Sequence, residues 1–262
     1  MKKSGAFSQI FLHSRAYRNK MIGVLADEID SDTACEIGTG KGALTVSLLS
    51  LVRHLYCVEI DAELIAYLKR ALCAHKNNVT FIQADIRKFP LARIGRRIPL
   101  ISNVPYQISS DFIRYLIDNR RWITKGFFLL QKEFAGKLTA RPGKPGYGFL
   151  TCALRLYADT RLRFPVPAGA FRPRPKVDSL FLTVEFLRRP RWPVKNQKEF
   201  LSLLQTAFRT RRKQIQSIFP EVKRIPDFES RTGISPDARP ATISLEKYVR
   251  LARILKKEER LR

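Results

Sequence analysis

The stretch CEIGTGKGALT, residues 35–45, decides the fold. It places Gly38, Gly40 and Gly42 directly after the β-type run TACEI (33–37) and before a segment of helical character. Glycine at such a turn permits positive φ and lets a ligand approach the backbone closely. The turn is typical of nucleotide-binding parallel sheets, but alone it is a weak signal, because similar turns also serve tight packing.

Outward from this turn, β-type runs alternate with helical segments. The strand candidates are residues 33–37, 55–60, 78–83, 98–103, 126–131 and 179–186. Between them, the segment 62–76 repeats apolar residues at helical spacing on one face. This alternation predicts an α/β fold with a doubly wound, mostly parallel sheet.

A change of character follows the last strand candidate. The segment RRPRWPVKN (188–196) carries two prolines and a cluster of charges, which is typical of a linker. Beyond it, residues 199–219 and 244–262 have helical patterns. We therefore expect two domains, an α/β domain over residues 1–188 and a small helical domain over residues 189–262.

The composition indicates a polyanionic partner and argues against a membrane protein, a secreted protein and a metal site. A formal net charge of +26 attracts polyanions, so nucleic acid is the leading candidate partner. The apolar runs are shorter than the roughly 20 residues of a membrane span, and the N-terminal stretch lacks the apolar core of a secretory signal. The four cysteines and three histidines are spaced singly, which predicts reduced core cysteines and no metal site. A cytoplasmic protein with no membrane partner is expected.

Polar residues follow three of the predicted strands. Glu59 ends the second strand about 20 residues after the glycine-rich turn, where a carboxylate can hold a ribose diol. Asp85 follows the third strand and can accept from an adenine amine, although an aspartate that only caps the loop is a fair alternative. The fourth strand ends in SNVPYQIS (102–109), with Asn103, Pro105 and Tyr106. Because a doubly wound sheet binds ligands at the carboxyl ends of its strands, these residues predict a nucleoside site there.

The order Asn-x-Pro-Tyr suits methyl transfer to an adenine amine. That amine is a poor nucleophile, because its lone pair is delocalised into the ring. The Asn103 side-chain oxygen and a backbone carbonyl near Pro105 can accept the two amine hydrogens and aim the lone pair at an electrophilic methyl. Pro105 stiffens the loop, and Tyr106 offers a face on which an unpaired base can stack. An ordinary turn is the alternative, which the preceding glycine turn, Glu59 and Asp85 disfavour.

Residues 8–179 resemble the ribosomal RNA adenine dimethyltransferase family, whose main branches are the small-subunit dimethylases (KsgA type) and the large-subunit erythromycin-resistance methylases (Erm type). The matching segments keep the family's order: SQIFL (8–12), EIGTGKGALT (36–45), VEID (58–61), SNVPYQIS, QKEFAGKLTARPGKPGYG (131–148) and FRPRPKVDS (171–179). The resemblance implies a Rossmann-like class I methyltransferase with a mostly parallel seven-stranded sheet. It also implies S-adenosylmethionine as cofactor and ribosomal RNA as partner.

The resemblance assigns roles to single residues. It implies cofactor contacts from Leu12, Gly38, Gly40, Glu59, Asp85 and Asn103. It implies that Asn103, Pro105 and Tyr106 are catalytic, together with Phe171, which sandwiches the target base with Tyr106. Ser8 and Ile10 replace the glycine and asparagine of the family's G-Q-N-F-L element, so no side-chain contact is implied at position 10.

Some segments of the chain resemble the Erm branch of the family, and others resemble the small-subunit branch. EIGTGKG resembles the Erm type. The segments that resemble the small-subunit type are residues 131–148, PKVDS (175–179), AFRTRRKQIQ (207–216) and ARPATISLEKYVRLA (238–252). The second set is longer and favours the small-subunit branch. SNVPYQISS (102–110) in particular resembles archaeal or eukaryotic small-subunit enzymes, so an archaeal-type member of that branch is expected. The expected reaction is dimethylation of two adjacent adenosines in the 3′-terminal helix loop of small-subunit rRNA. We expect a monomer that acts on an assembly intermediate during ribosome biogenesis. The alternatives are an Erm-type 23S rRNA methyltransferase, or a ribosome-assembly or nucleic-acid-binding factor with weak catalysis.

A group of cations in the helical domain is a candidate RNA contact. We call it the basic cluster, and it consists of Arg209, Arg211, Arg212 and Lys213. A solvated helix face is the alternative, but the net charge of the chain favours contact with RNA phosphates.

Overall fold

The computed structural model describes residues 10–259, apart from the side chains of residues 257–259. The described chain divides into two compact units: one holds the residues up to Ala135 together with Asp159–Phe186, and the other holds Gly136–Ala158 together with the residues from Leu187 onward. The predicted functional domains, 1–188 and 189–262, differ from this division because they put residues 136–158 in the first domain. As functional modules they stay a prediction.

The helices follow the predicted alternation in the first unit and dominate the second. The described α-helices are α1 Arg15–Glu28, α2 Thr45–Leu48, α3 Ala62–Ala71, α4 Ser109–Asp118, α5 Lys132–Thr139, α6 Phe149–Tyr157, α7 Gln197–Arg209, α8 Ile215–Ile218, α9 Phe228–Thr232 and α10 Leu245–Glu259. Side-chain caps explain two of the starts. Asp61 accepts from the amides of Glu63 and Leu64 at the start of α3, and Asn196 caps α7 in the same way.

The strands form one large sheet and one small one. They are β1 Phe11–Leu12, β2 Thr33–Ile37, β3 His54–Glu59, β4 Val79–Gln83, β5 Ile98–Asn103, β6 Ile123–Gln131, β7 Ala158–Val166, β8 Phe171–Arg172 and β9 Ser179–Phe186. The seven-stranded sheet has the order β4-β3-β2-β5-β6-β9-β7, and β1 pairs with β8 separately. Pairs from β4 to β6 are parallel, whereas β9 runs antiparallel to β6. The predicted α/β class with a mostly parallel seven-stranded sheet is confirmed.

Three strands have the bounds that the sequence predicted, namely β2, β5 and β9. They are central or nearly so, and their continuous apolar runs mark them clearly. The strand β7 was not predicted. It lies at one edge of the sheet and carries Asp159, Arg161, Arg163 and Pro165, a composition that edge strands tolerate and that hides them from pattern analysis.

Two helical predictions were too long. The segment 62–76 is helical only to Ala71, and the chain continues there as a short 3₁₀ turn. The segment 199–219 is interrupted, because α7 ends at Arg209 and α8 begins only at Ile215. Most of the basic cluster therefore lies in the turn between two helices and not on a helix face.

The core of the first unit lies between the sheet and the helices that cover it. Buried residues of α1, Met21 and Leu25, belong to one cluster with strand residues such as Leu55 and Phe127. Cys35, Cys57 and Cys152 are buried as predicted, whereas Cys73 is exposed, because it follows the end of α3. Among residues 10–259 we find no helix that is both long enough and apolar enough to cross a bilayer.

Candidate active site

An open cavity lies where β2, β3 and β5 end, and the loop after β4 borders it. Parallel strands bring their carboxyl ends to one edge of the sheet, so residues far apart in sequence meet there. Eight of the predicted site residues line this cavity: Leu12, Gly38, Gly40, Glu59, Asp85, Asn103, Pro105 and Tyr106. The prediction that these residues come together holds in the structure, while their roles toward a ligand stay predictions.

The glycine-rich turn forms one wall of the cavity. Gly38, Gly40 and Gly42 have φ values of 70°, 54° and 80°, which L side chains rarely adopt. A Cβ at Gly40 would lie 2.8 Å from Cε1 of Phe11, so a side chain there has no room. A Cβ at Gly38 would meet no atom within 4 Å, which means that this glycine faces open space. The turn can therefore receive a ligand against its backbone at Gly38.

Glu59 holds the turn and the start of α3 at the same time. Its Oε2 accepts from the amide of Gly40 at 3.0 Å, while Oε1 accepts from the amides of Ile60 at 2.8 Å and Asp61 at 3.1 Å. The side chain is nearly buried, with the residue 5% exposed. A carboxylate has about four acceptor positions, so one position on Oε2 remains for a ligand hydroxyl.

Asp85 is occupied by a neighbouring cation. Its Oδ1 accepts from the backbone amide and Nε of Arg87 at 3.0 Å each, and Oδ2 accepts from Nη2 at 2.7 Å. These bonds from Arg87 hold the pKa of the Asp85 carboxyl below its usual range. A ligand amine at Asp85 must displace one of the Arg87 contacts or share an oxygen with it. The sequence analysis did not single out Arg87, which also lines the cavity.

The orientation of the Asn103 amide follows from a contact across the cavity edge. Its Nδ2 donates to the backbone carbonyl of Ile10 at 2.9 Å. This bond assigns the nitrogen to the Ile10 side and leaves Oδ1 as the acceptor. The contact uses the backbone of position 10, so the isoleucine that replaces the family asparagine does not disturb it. Ser8, the other departure in that element, lies outside the described residues.

The two aromatic residues with predicted base-stacking roles are placed differently. Tyr106 lines the cavity and is half-buried, and burial raises the pKa of its hydroxyl. Phe171 is only 1% exposed, and its partner in the register of β1 and β8 is Leu12. The ring belongs to the hydrophobic core and not to the cavity lining. Stacking of Phe171 on a base stays a prediction, and it requires the ring to leave this core.

Besides Arg87, the sequence analysis missed Glu36 and Thr39, two buried polar residues of the cavity. Glu36, on β2, is buried and its Oε2 accepts from the hydroxyl of Thr45 at 2.6 Å. Burial raises the pKa of its carboxyl to about 8, and the nearby Glu59 charge adds to this. Among the described residues, no group bonds the buried Oγ1 of Thr39 in the glycine-rich turn. A carboxylate inside an otherwise apolar strand was the available signal for Glu36.

Apart from the exposed Lys41, the rest of the lining is apolar. Ile60, Ile86 and Ile108 line the cavity, and Ile60 is 47% exposed. An exposed isoleucine beside Glu59 and Asp85 suits the flat face of a heterocyclic base. The cavity therefore combines acceptors for hydroxyls and amines with an apolar slot.

The basic cluster lies in the second unit. Its four residues are all exposed, Arg209 at the end of α7 and the others in the turn that follows. Their exposed cationic groups can reach phosphates of a large polyanion. Whether they bind RNA stays a prediction.

Comparison with known proteins decides the family. A model of the family described as ribosomal RNA adenine dimethylase matches residues 1–257. The chain belongs to the ribosomal RNA adenine dimethylase family. The family predicted from the sequence motifs is thereby confirmed, and so is the predicted class of enzyme.

Relatives of this dimethylase family member match it over nearly their whole length. It is 33% identical over 250 residues to a protein from Nitrosococcus oceani named ribosomal RNA small subunit methyltransferase A, with 94% of each chain covered. A protein of the same name from Fusobacterium nucleatum is 31% identical over 260 residues, covering 97% of each chain.

Solved structures agree on the fold. A dimethyladenosine transferase from Plasmodium falciparum superposes with a TM-score of 0.80 at 25% identity, covering 95% of this chain and 98% of that one. The 23S rRNA methyltransferase ErmE superposes with a TM-score of 0.74 at 23% identity, covering 94% and 99%. The Rossmann-like methyltransferase architecture expected for the family is confirmed.

Proposed function

We propose that this family member uses S-adenosylmethionine to dimethylate the N6 amines of two adjacent adenosines in small-subunit ribosomal RNA. The class of activity, rRNA adenine dimethylation, follows from its family. The observation that carries the proposal is the Asn103 amide, whose nitrogen is engaged by the Ile10 carbonyl and whose oxygen remains as the acceptor beside the cavity.

The residues of the cavity fit the cofactor. S-adenosylmethionine supplies an electrophilic methyl group when bound. Gly38 faces open space, the buried Thr39 hydroxyl lacks a partner among the described residues, and one acceptor position remains on Glu59. We assign one ribose hydroxyl to Glu59, the methionine part to the turn at Gly38 and Gly40, and one wall of the adenosine slot to Leu12. Glu36 is largely protonated near neutral pH, because its pKa is raised to about 8, so it adds little negative charge there.

Asp85 is assigned to the amine of the cofactor adenine. In the structure both oxygens of its carboxylate accept hydrogen bonds from Arg87. We infer that the incoming amine replaces one of these bonds. The guanidinium is exposed, so water can replace the contact that it gives up. Ile86, next in the chain, supplies an apolar surface for the adenine ring.

The chemistry at the target base rests on orientation. Asn103 Oδ1 and the carbonyl of Val104 are assigned as acceptors of the two N6 hydrogens, because the Pro105 carbonyl already accepts from the amide of Ile108 at 3.1 Å. Two acceptors in this arrangement favour a pyramidal amine and direct its lone pair. Tyr106 stacks on the base, and Pro105 restricts the loop that carries both groups.

The target particle is inferred from the relatives and from charge. The relatives from Nitrosococcus oceani and Fusobacterium nucleatum are named for the small subunit, which favours that rRNA over the 23S alternative. The basic cluster docks structured RNA through phosphates, in keeping with the net charge of +26. We further propose a monomer in the cytoplasm that acts on an assembly intermediate during ribosome biogenesis.

Methyl transfer to ribosomal RNA tests the proposal directly. Small and large subunits, each from cells lacking this activity, are incubated with the chain and S-adenosylmethionine, and nucleosides are mapped by mass spectrometry. We expect N6,N6-dimethyladenosine at two adjacent positions of the small-subunit rRNA. Modification of a single adenosine in 23S rRNA would establish the Erm-type alternative, and tight binding without transfer would establish a binding factor.

A further inference from the structure

The Tyr106 side chain is tethered by a residue from a distant strand. Its Oη lies 2.7 Å from Oγ of Ser179, in a hydrogen bond that joins two residues 73 positions apart. The backbone carbonyl of Tyr106 accepts from the Ser109 hydroxyl at 3.0 Å. The tyrosine is therefore held at both ends, at the backbone by the start of α4 and at the ring tip by the start of β9.

Ser179 is a rigid anchor for that tether. It is 0% exposed, and it pairs in register with Gln131 of the neighbouring strand β6. The preceding residue, Asp178, is fixed as well, because its carbonyl accepts from the amide of Lys132 and its carboxylate accepts from the amide of Ala168, both at 3.0 Å. Because the backbone of Ser179 is held in the sheet and the residue is fully buried, its hydroxyl is a fixed point to which the tyrosine ring is bonded.

We propose that Ser179 is a positioning residue for methyl transfer, which sets the plane of the Tyr106 ring so that a base stacked on it presents its amine to Asn103. The inference rests on the proposed function, because it assigns Tyr106 to the target base. A tyrosine held only by its own rotamer preferences would sample several ring orientations, whereas a productive geometry requires a narrow range. The alternative is that Tyr106 merely satisfies the buried hydroxyl of Ser179.

A double-mutant cycle separates the two explanations. Ser179→Ala removes the anchor and Tyr106→Phe removes the tyrosine hydroxyl while keeping the ring. Each is expected to lower the single-turnover rate about 2- to 12-fold, the equivalent of one net hydrogen bond. In the Tyr106→Phe background Ser179→Ala should have no further effect, because the bond is already absent. RNA affinity should stay unchanged in all variants, since the basic surface governs it.

Thr183, on the same strand as Ser179, provides a matched control. Thr183→Val removes another buried hydroxyl of β9, one that accepts from Nε of Arg163, and should leave the rate unchanged. Tyr106→Phe tests the same bond if Ser179→Ala does not fold. Equal losses from Ser179→Ala in both backgrounds, or no loss in the wild type, would overturn the inference alone. A wild-type chain that methylates no adenosine would overturn the proposed function and this inference with it.

Discussion

Replacing Glu59 by alanine tests the cofactor site most directly. The structure shows that this carboxylate does more than the sequence indicated, because it accepts from three backbone amides of the turn and of the loop before α3. Glu59→Ala therefore removes both an assigned ribose contact and the acceptor of the buried Gly40 amide. Two separate losses are expected, one in cofactor affinity and one in stability.

The sizes of the two losses in Glu59→Ala follow from the hydrogen bonds that the carboxylate makes. Loss of a hydrogen bond to a charged group costs about 1.5 to 3 kcal/mol, which corresponds to a cofactor Kd raised about 10- to 150-fold. The Gly40 amide is left buried without an acceptor, which lowers the free energy of unfolding by about 1 to 3 kcal/mol. Ile60 is exposed and Asp61 is partly exposed, so water can replace the carboxylate at their amides.

Calorimetry with S-adenosylmethionine and urea unfolding measure the two effects. Glu63→Ala is the matched control, because it removes one exposed carboxylate from the first turn of α3 and should change neither quantity. RNA affinity should be unchanged in both variants. A folded Glu59→Ala chain that binds the cofactor as the wild type does would refute the assignment of Glu59 to the ribose.

Three further predictions concern turnover, RNA docking and pH. Asn103→Ala should lower single-turnover methyl transfer at saturating cofactor by at least about two orders of magnitude while RNA binding survives, and a near-normal rate would reduce Asn103 to a turn residue. Replacing the four residues of the basic cluster by glutamine should flatten the slope of log RNA affinity against log salt concentration by up to about 0.7 to 0.9 per lost phosphate contact. As a control, replacing the exposed Lys69 and Arg70 of α3 should change this slope less. An unaltered slope would indicate a solvated surface. Because the pKa of Glu36 is raised to about 8, the folded chain keeps a proton that the unfolded chain releases. The free energy of unfolding should then fall by about 2 kcal/mol between about pH 6 and pH 8, and urea unfolding of Glu36→Gln should show that this fall is lost.

Much of the site was predictable because parallel strands impose its position. Once the alternation of strands and helices is recognised, Glu59, Asp85 and Asn103 must meet, since each follows or ends a strand of one parallel sheet. The glycine turn is equally local, because three closely spaced glycines after a strand permit the positive φ that Gly38, Gly40 and Gly42 have in the structure. The net charge indicated a nucleic acid as the partner, and the order of the motifs indicated the family.

Other features depend on contacts between residues that are far apart in the sequence, and these contacts could not be predicted. Nothing in the chain near Tyr106 indicates that Ser179 holds it, and nothing near Phe171 shows that its ring is packed in the core with Leu12. The charged edge strand β7 is stabilised by its neighbour in the sheet and not by its own pattern.

The sequence by itself therefore determined the α/β class, the family and the residues at the carboxyl ends of the strands, because these depend on periodicity and on groups placed by local geometry. Only the tertiary structure decided which acceptors remain for a ligand. Arg87 bonds both oxygens of Asp85, three backbone amides take three of the acceptor positions on Glu59, and the Ile10 carbonyl orients Asn103. The physical reason is that hydrogen-bonding capacity is shared among all groups within reach of an atom, and that set is known only once the chain is folded.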